Sequence, residues 1–262
     1  MTARREYKYL FPETVLDALR EMLLPYVDLD PHVPGNGRQY TVRTVYFDTP
    51  SLDFYHEKLA GLRERQKVRV RGYDDVTPTS PVFLEIKRNI GGAVIKQRAI
   101  VLYRDFHAFC ETGDVRRYVR AAPDGDDPGV NAREFLFLLH ARPLAPVITI
   151  VYDREPYFSR FERGVRITLD KHVRFHDDVS PVSLGRAVQE RPALCRSFIL
   201  EAKTDGAFPL WLGRILSPFH AIREAISKYV LCIDALRDPA CPPDQMPQGL
   251  TSRAYSLTSL DR

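Results

Sequence analysis

The sequence predicts an α+β fold made mainly of antiparallel strands, with flanking helices and a helix near the C-terminus. Three observations predict it. Apolar and charged residues alternate with period two in segments spread along the chain. Three such segments follow one another between residues 62 and 101 with short turns between them, which favours antiparallel pairing. Beyond residue 212 the apolar spacing changes to the helical period.

Residues 4–10 alternate as a strand, and Pro12 is placed to open a helix carrying Val15, Leu16, Leu19 and Leu23 that Pro25 ends. Residues 28–38 read as a polar loop and 40–47 as a β-branched and aromatic strand. Thr49 and Pro50 have the form of an N-cap and first helical position, leading through Phe54 and Tyr55. Strands are expected at 62–73, 82–88 and 93–101, and helices at 105–110 and 131–141 around a loop at 122–129. Strands return at 146–153, 156–161, 164–170, 172–176 and 196–203. A first helical group contains Leu212, Ile215 and Leu216, and a second contains Ile222, Ile226, Tyr229 and Ile233. Residues 1–238 are expected to form one domain, and the Pro-, Gly- and Ser-rich stretch 239–262 a loose tail.

The 262 residues, 44% hydrophobic and 27% charged, have the balance of a folded globular protein rather than a disordered one. No apolar run approaches the roughly 20 residues that span a bilayer, and the first residues lack the apolar stretch of a signal peptide. A cytoplasmic location is therefore expected. Cys110, Cys195, Cys232 and Cys241 have neither CxxC nor zinc-ligand spacing and read as reduced thiols. HExxH, GxSxG and the glycine-rich nucleotide loops are missing, and NIGGA (89–93) reads as a hairpin turn.

Charge is concentrated. Arg63, Arg65, Lys67, Arg69, Arg71, Lys87, Arg88, Lys96, Arg98 and Arg104 face only Glu64, Asp74, Asp75 and Glu85 within one stretch, a local excess larger than the +4 of the whole chain. In a strand, residues two apart share a face. Arg69 with Arg71, Glu85 with Lys87, Lys96 with Arg98, Arg166 with Thr168 and Asp170, Glu201 with Lys203, and Glu6 with Lys8 repeat this pattern. One such strand is explained by a wet face over a packed one. The repetition favours charged faces that converge on an anion, because crowded like charges oppose folding unless carboxylates and a ligand neutralise them. Arg forks and Lys point charges together suit several phosphate groups, and Glu201, with Glu85 as a second candidate, suits a divalent cation shared with phosphate. A nucleic-acid partner is disfavoured, since no RNA-recognition motif, recognition helix or zinc-finger spacing is present.

The ordered segments EYKY, TVYFDT, KVRVRGY, FLEIKR, IKQR, VYDREPY, GVRITLD, LEAK and AISKY resemble the VTC domain, the polyphosphate polymerase domain of the triphosphate tunnel metalloenzyme (CYTH-like) superfamily. The resemblance runs from Arg4 to about Leu236. It implies an antiparallel β-barrel enclosing a triphosphate tunnel, with Mn²⁺ or Mg²⁺ as cofactor and ATP or another triphosphate and polyphosphate as ligands. Arg69, Arg71, Lys87, Lys96, Arg98 and Lys228 become the catalytic candidates, and Lys8, Arg154, Arg166, Lys203 and Ser227 the substrate-binding ones. Glu201 becomes the metal ligand, with Glu85 beside it as the second candidate. The eukaryotic polymerase has a further Lys two residues before the Ser, where this chain has Ala225, and Arg223 is the candidate to replace it. The expected reaction is transfer of the ATP γ-phosphoryl group to a growing polyphosphate chain. The alternatives are hydrolysis of a triphosphate by water and polyphosphate binding without catalysis.

Overall fold

The computed structural model describes residues 5–91, 93–121, 127–179, 183–185 and 189–238. The expected tail at 239–262 and most of the loop at 122–129 lie outside them. The first strand, β1 (Arg5–Pro12), leads through a 3₁₀ turn into α1 (Leu16–Leu23), then β2 (Val27–Leu29) and β3 (Tyr40–Asp48). Helix α2 (Asp53–Leu59) precedes the consecutive strands β4 (Arg65–Tyr73), β5 (Pro81–Ile90) and β6 (Ala93–Leu102). Helices α3 (Phe106–Thr112), α4 (Val115–Tyr118) and α5 (Pro128–Ala141) separate these from β7 (Ala145–Ser159) and β8 (Arg166–His176). The chain continues through β9 (Arg191–Pro192), β10 (Ser197–Thr204), α6 (Leu210–Leu216) and α7 (Lys228–Arg237).

All the strands join one antiparallel sheet in the order β1-β10-β8-β7-β3-β4-β5-β6, with β2 added on β7 and β9 on β8. Strand alternation gives this sheet two faces. On one face, Val45, Val68, Val70, Leu84 and Ile86 pack against Phe106, Phe109 and Phe135 of α3 and α5. On the same face at the other end, Phe11, Ile167, Leu169 and Leu200 pack against Leu19, Leu23 and Leu212 of α1 and α6. The other face carries a third apolar cluster, in which Ile148, Ile150, Tyr152 and Phe175 meet Tyr229, Val230 and Ile233 of α7. The charged residues occupy the rest of that face.

The expected barrel and its triphosphate tunnel are corrected by this topology. The sheet curls strongly: five strands separate β1 from β5, yet Lys87 Nζ reaches Glu6 Oε2 at 3.4 Å. It does not close, and no ladder joins β1 to β6 among the described residues. Both outer edges are engaged elsewhere. The segment before α7 forms a bridge from Arg223 to Tyr9, with Glu224 N donating to Lys8 O at 2.9 Å. On β6, Arg120 N donates to Ile100 O at 2.8 Å. Edge groups satisfied in this way are withdrawn from pairing with each other. The result is an open trough.

Three local expectations also change. The strands expected at 146–153 and 156–161 are one strand, β7, and those at 164–170 and 172–176 are one strand, β8. Ile222 is 66% exposed and precedes the helix, so its helical spacing with Ile226 was coincidental; α7 starts only at Lys228. The N-cap of α2 is Leu52, in the left-handed region and without a side-chain cap bond. Thr49 Oγ1 instead accepts from Asp53 N, and the buried Asp48 carboxylate accepts from Phe54 N and Tyr55 N. Among the described residues no helix is long and apolar enough to cross a membrane.

Asp48 also accepts from the Tyr229 hydroxyl at 2.6 Å, so one carboxylate ties β3 to both α2 and α7. Asp48→Ala strands several buried donors at once and is expected to cost about 3 kcal/mol of unfolding free energy. Urea denaturation measures it, and a loss below about 1 kcal/mol would refute this role.

Candidate functional site

Cross-strand register brings the charged residues of the trough into two groups. In the first, β4 places Lys67, Arg69 and Arg71 on one face, where Arg69 faces Glu85 across the ladder and Glu85 faces Arg98. Glu85 has no exposed surface. Its Oε2 lies 2.7 Å from Arg69 Nε and 3.7 Å from Arg71 NH1, and its Oε1 lies 3.0 Å from Lys96 Nζ and 2.7 Å from Arg98 NH2. Burial alone would raise the Glu85 carboxyl, but Arg71, Arg69, Lys96 and Arg98 hold it well below the usual carboxylate range. Arg69 NH1 also donates to the Tyr46 hydroxyl, and Arg71 Nε to Thr44 Oγ1.

The second group gathers β1, β10, β8, β7 and the start of α7. Lys8 faces Glu201, Glu201 faces Thr168, and Arg154 faces Asp170. Arg154 grips Asp170 with two charge-assisted bonds of 2.6 and 2.7 Å, and its NH2 reaches Glu201 Oε2 at 3.4 Å. Lys228 Nζ sits between Asp170 Oδ2 at 2.5 Å and Glu201 Oε1 at 2.8 Å. Lys8 Nζ adds a contact of 3.4 Å to the same Glu201 oxygen and donates to Ile226 O. Burial opposes ionisation of Glu201, yet Lys228, Lys8 and Arg154 hold it well below its ordinary value. Burial likewise opposes the charge on Lys228, and Asp170 and Glu201 reverse the direction.

Ser227 explains how Lys228 is placed. Its hydroxyl caps α7 by accepting from Val230 N, so Lys228 occupies the first helical position. A cation there opposes the helix dipole, and the two carboxylates offset it. The exposed surface pair with Glu224 that i, i+4 spacing allows is not what forms; Lys228 is buried.

The carboxylates do not neutralise everything. Burial lowers Lys203 to about 7 even though Glu201 and Glu6 oppose the shift. Burial lowers Lys96 to about 8 despite Glu85, and because its side chain is 44% exposed, water screens part of that effect. Arg166 donates through NH2 to Asp30 and Tyr40, while its Nε has no hydrogen-bond partner among the described residues. Thr168, only 2% exposed, also has an unpartnered hydroxyl. Arg166, Thr168 and Lys203 share one face of β8 and β10.

All thirteen candidates from the sequence fall on this face or at the start of α7. Arg223 does not: its guanidinium stacks 4.5 Å from the Tyr7 ring, on the side of β1 opposite Lys8. Sequence reasoning left out Glu6, Lys67, Thr168 and Asp170 as site residues, although period-two alternation already placed each on the face of a chosen one. A surface cavity of about 590 Å³ lined by Arg163, Phe208 and Trp211 contains none of the candidates and lies beside the α6 core.

The cofactor the resemblance implies is Mn²⁺ or Mg²⁺. Among the described residues no three His, Cys, Asp or Glu side chains stand close enough together to hold an ion. Both Glu85 oxygens are engaged by cations, as are both Glu201 oxygens. Among the described residues no ready-made all-protein site is present, and the sequence expectation had Glu201 share the ion with phosphate. Carboxylate oxygen nevertheless suits a hard cation, and Mg²⁺ ordinarily uses one or two carboxylates together with phosphate oxygens. Glu201 fits that lesser role.

No curated protein matches the chain. Among solved structures, the PH1819 protein of Pyrococcus horikoshii is 17% identical, covers 88% of this chain and 98% of its own, and has a TM-score of 0.44. A putative adenylate cyclase of Vibrio parahaemolyticus is 13% identical over 88% and 97%, with a TM-score of 0.42. A putative adenylyl cyclase of Hippeastrum is 12% identical over 94% and 98%, with a TM-score of 0.43. Likenesses this distant carry no argument here about substrate. The VTC domain family matches residues 3–237, almost the whole described chain. With its repeated cationic strands held on one face of a large antiparallel sheet, this chain belongs to the VTC domain family.

Proposed function

We propose that this VTC-domain chain handles triphosphates as a polyphosphate polymerase, moving the terminal phosphoryl group of ATP to a growing polyphosphate chain with release of ADP. One observation carries the reading. The trough holds more cations than its carboxylates neutralise and leaves Arg166 Nε, Thr168 Oγ1 and Lys203 for an anion to satisfy.

In this reading Glu85 sets the positions of Arg69, Arg71, Lys96 and Arg98 before substrate arrives. A guanidinium has five N–H donors, and the bonds of Arg69 to Glu85 and Tyr46 use a minority of them. The remaining donors, with Lys87 and Lys228, hold the transferred group. Lys8, Arg154, Arg166, Lys203 and Ser227 bind the rest of the phosphate chain. Because the donors are fixed, little reorganisation is needed as charge develops in the transition state. The acceptor phosphate is already anionic near neutral pH, so no side-chain base is required. A divalent cation, Mn²⁺ or Mg²⁺, would be held by Glu201 and phosphate oxygens and supplies further charge neutralisation when bound. The reaction is set in the cytoplasm.

Purified protein given ATP and Mn²⁺ is expected to yield ADP and long polyphosphate resolved on a gel. Free phosphate without chains would identify water as the acceptor, and saturable binding without ADP would identify a non-catalytic binder; either result rejects the polymerase. Arg69→Ala and Arg71→Ala are each expected to weaken tripolyphosphate binding by about 1.5–3 kcal/mol. Unchanged affinity in calorimetric titration would remove these arginines from the site.

Thr168→Val keeps the shape of a buried side chain whose hydroxyl lacks a protein partner. It is expected to melt at or slightly above the wild-type temperature while losing about 0.5–1.5 kcal/mol of tripolyphosphate affinity. Clear destabilisation would show that the hydroxyl serves the fold instead.

The pH trend has two signs. Lys203 titrates at about 7 in the fold against the ordinary lysine value of 10.5, so between these the unfolded chain binds more protons and the free protein gains stability as pH rises. Anion binding favours the charged lysine, so affinity falls over the same rise. At the acid end Glu6, where burial is outweighed by Lys8, Lys203 and Lys87 together, is lowered to about 2; its contribution exists above the ordinary 4.5 and is lost as pH falls toward 2. Melting curves and tripolyphosphate titrations between about pH 7 and pH 9 are expected to move in opposite directions. Affinity that rises with pH would contradict the assignment of Lys203.

A further inference from the structure

We propose that Lys67 is a further phosphate-binding residue of this site, contacting the stretch of polyanion that lies toward the start of α7. The inference deepens the function proposed above and rests on it.

Lys67 shares the face of Arg69 and Arg71, one strand repeat of roughly 7 Å beyond Arg69. It lies directly across the ladder from Lys87, which lies across from Lys96, so β4, β5 and β6 set three lysines abreast. Like charges placed directly opposite are destabilising in a sheet. Arg69 and Lys96 in this neighbourhood are balanced by Glu85, and Lys8 and Lys87 by Glu6. For Lys67 no carboxylate comes within ion-pair distance among the described residues; its polar contact is the Ser227 hydroxyl, to which Nζ donates at 2.9 Å.

The groups that face it all press in one direction. Burial first, then Lys8 of β1, Arg69 of its own strand, Lys87 of β5 and Lys58 of α2, push Lys67 well below the ordinary lysine value. The Tyr229 ring of α7 lies 5.9 Å away and the Ser227 hydroxyl contributes no charge. Folding therefore gains little from a lysine here, whereas a polyanion bridging from Arg69 to Ser227 would meet it at once.

Lys67→Met and Lys67→Arg in the full chain separate a binding role from a structural one. Tripolyphosphate titration and melting without ligand are the readouts. The expected result is that Lys67→Met melts at or above the wild-type temperature and binds about tenfold more weakly, while Lys67→Arg stays within about threefold of wild type. Wild-type affinity in Lys67→Met overturns this inference alone. Weak binding joined to a lower melting temperature makes Lys67 a support for the Ser227 cap and also overturns it. A wild-type protein that does not bind tripolyphosphate takes down the proposed function and this inference together.

Discussion

The charged face depends on two buried carboxylates. Glu85 holds four cations of β4 and β6, and Glu201 holds Lys228, Lys8 and Arg154. Removing one partner of such a pair commonly costs about 3–5 kcal/mol because the other charge stays buried and unpaired. Here each carboxylate has several partners, so its loss would expose several cations to that penalty. A phosphate site that must exist before its ligand arrives needs internal counter-ions of this kind. Glu85 holds the arginines of β4 and β6 in place without consuming most of their donors.

The same constraint explains why the sheet curls but stays open. Bringing β5 within reach of β1 lets Glu6 serve both Lys8 and Lys87, which reduces repulsion between cations from distant strands. Full closure would require β1 and β6 to exchange backbone bonds. The segment before α7 instead lies along β1 and delivers Ser227 and Lys228 into the trough. Closing the ladder and inserting the start of α7 compete for the same edge, and the insertion is what the fold adopts.

Much of the site was legible because strand alternation is a local property. Arg69 with Arg71, Lys96 with Arg98 and Glu201 with Lys203 each share a face whatever the rest of the chain does. Closure was not legible, since it turns on where Arg223 and Arg120 pair, each far from its partner in sequence. The continuity of β7 was hidden by Asp153, Arg154, Glu155 and Pro156, a run that resembles a turn. In the sheet Asp153 accepts from Thr41, Arg154 grips Asp170, and Glu155 takes Arg20 and Lys171, so alternate polar side chains find partners on opposite faces. The start of α7 was misjudged because Ile222 and Ile226 fit a helical period by accident.

The distribution of cationic and donor groups also bears on which anion the trough suits. A small monovalent anion would satisfy one cation group and leave the other unchanged. Arg166, Thr168 and Lys203 lie on β8 and β10, whereas Arg69, Arg71 and Lys96 lie on β4 and β6, with the Lys87 contact to Glu6 linking the two groups. An extended anion with several negative groups can serve both sets at once. It would also draw protons onto the depressed lysines and remove the penalty they carry in the free fold. The cost of holding these cations together is then recovered in binding, in proportion to how much of the trough the anion spans.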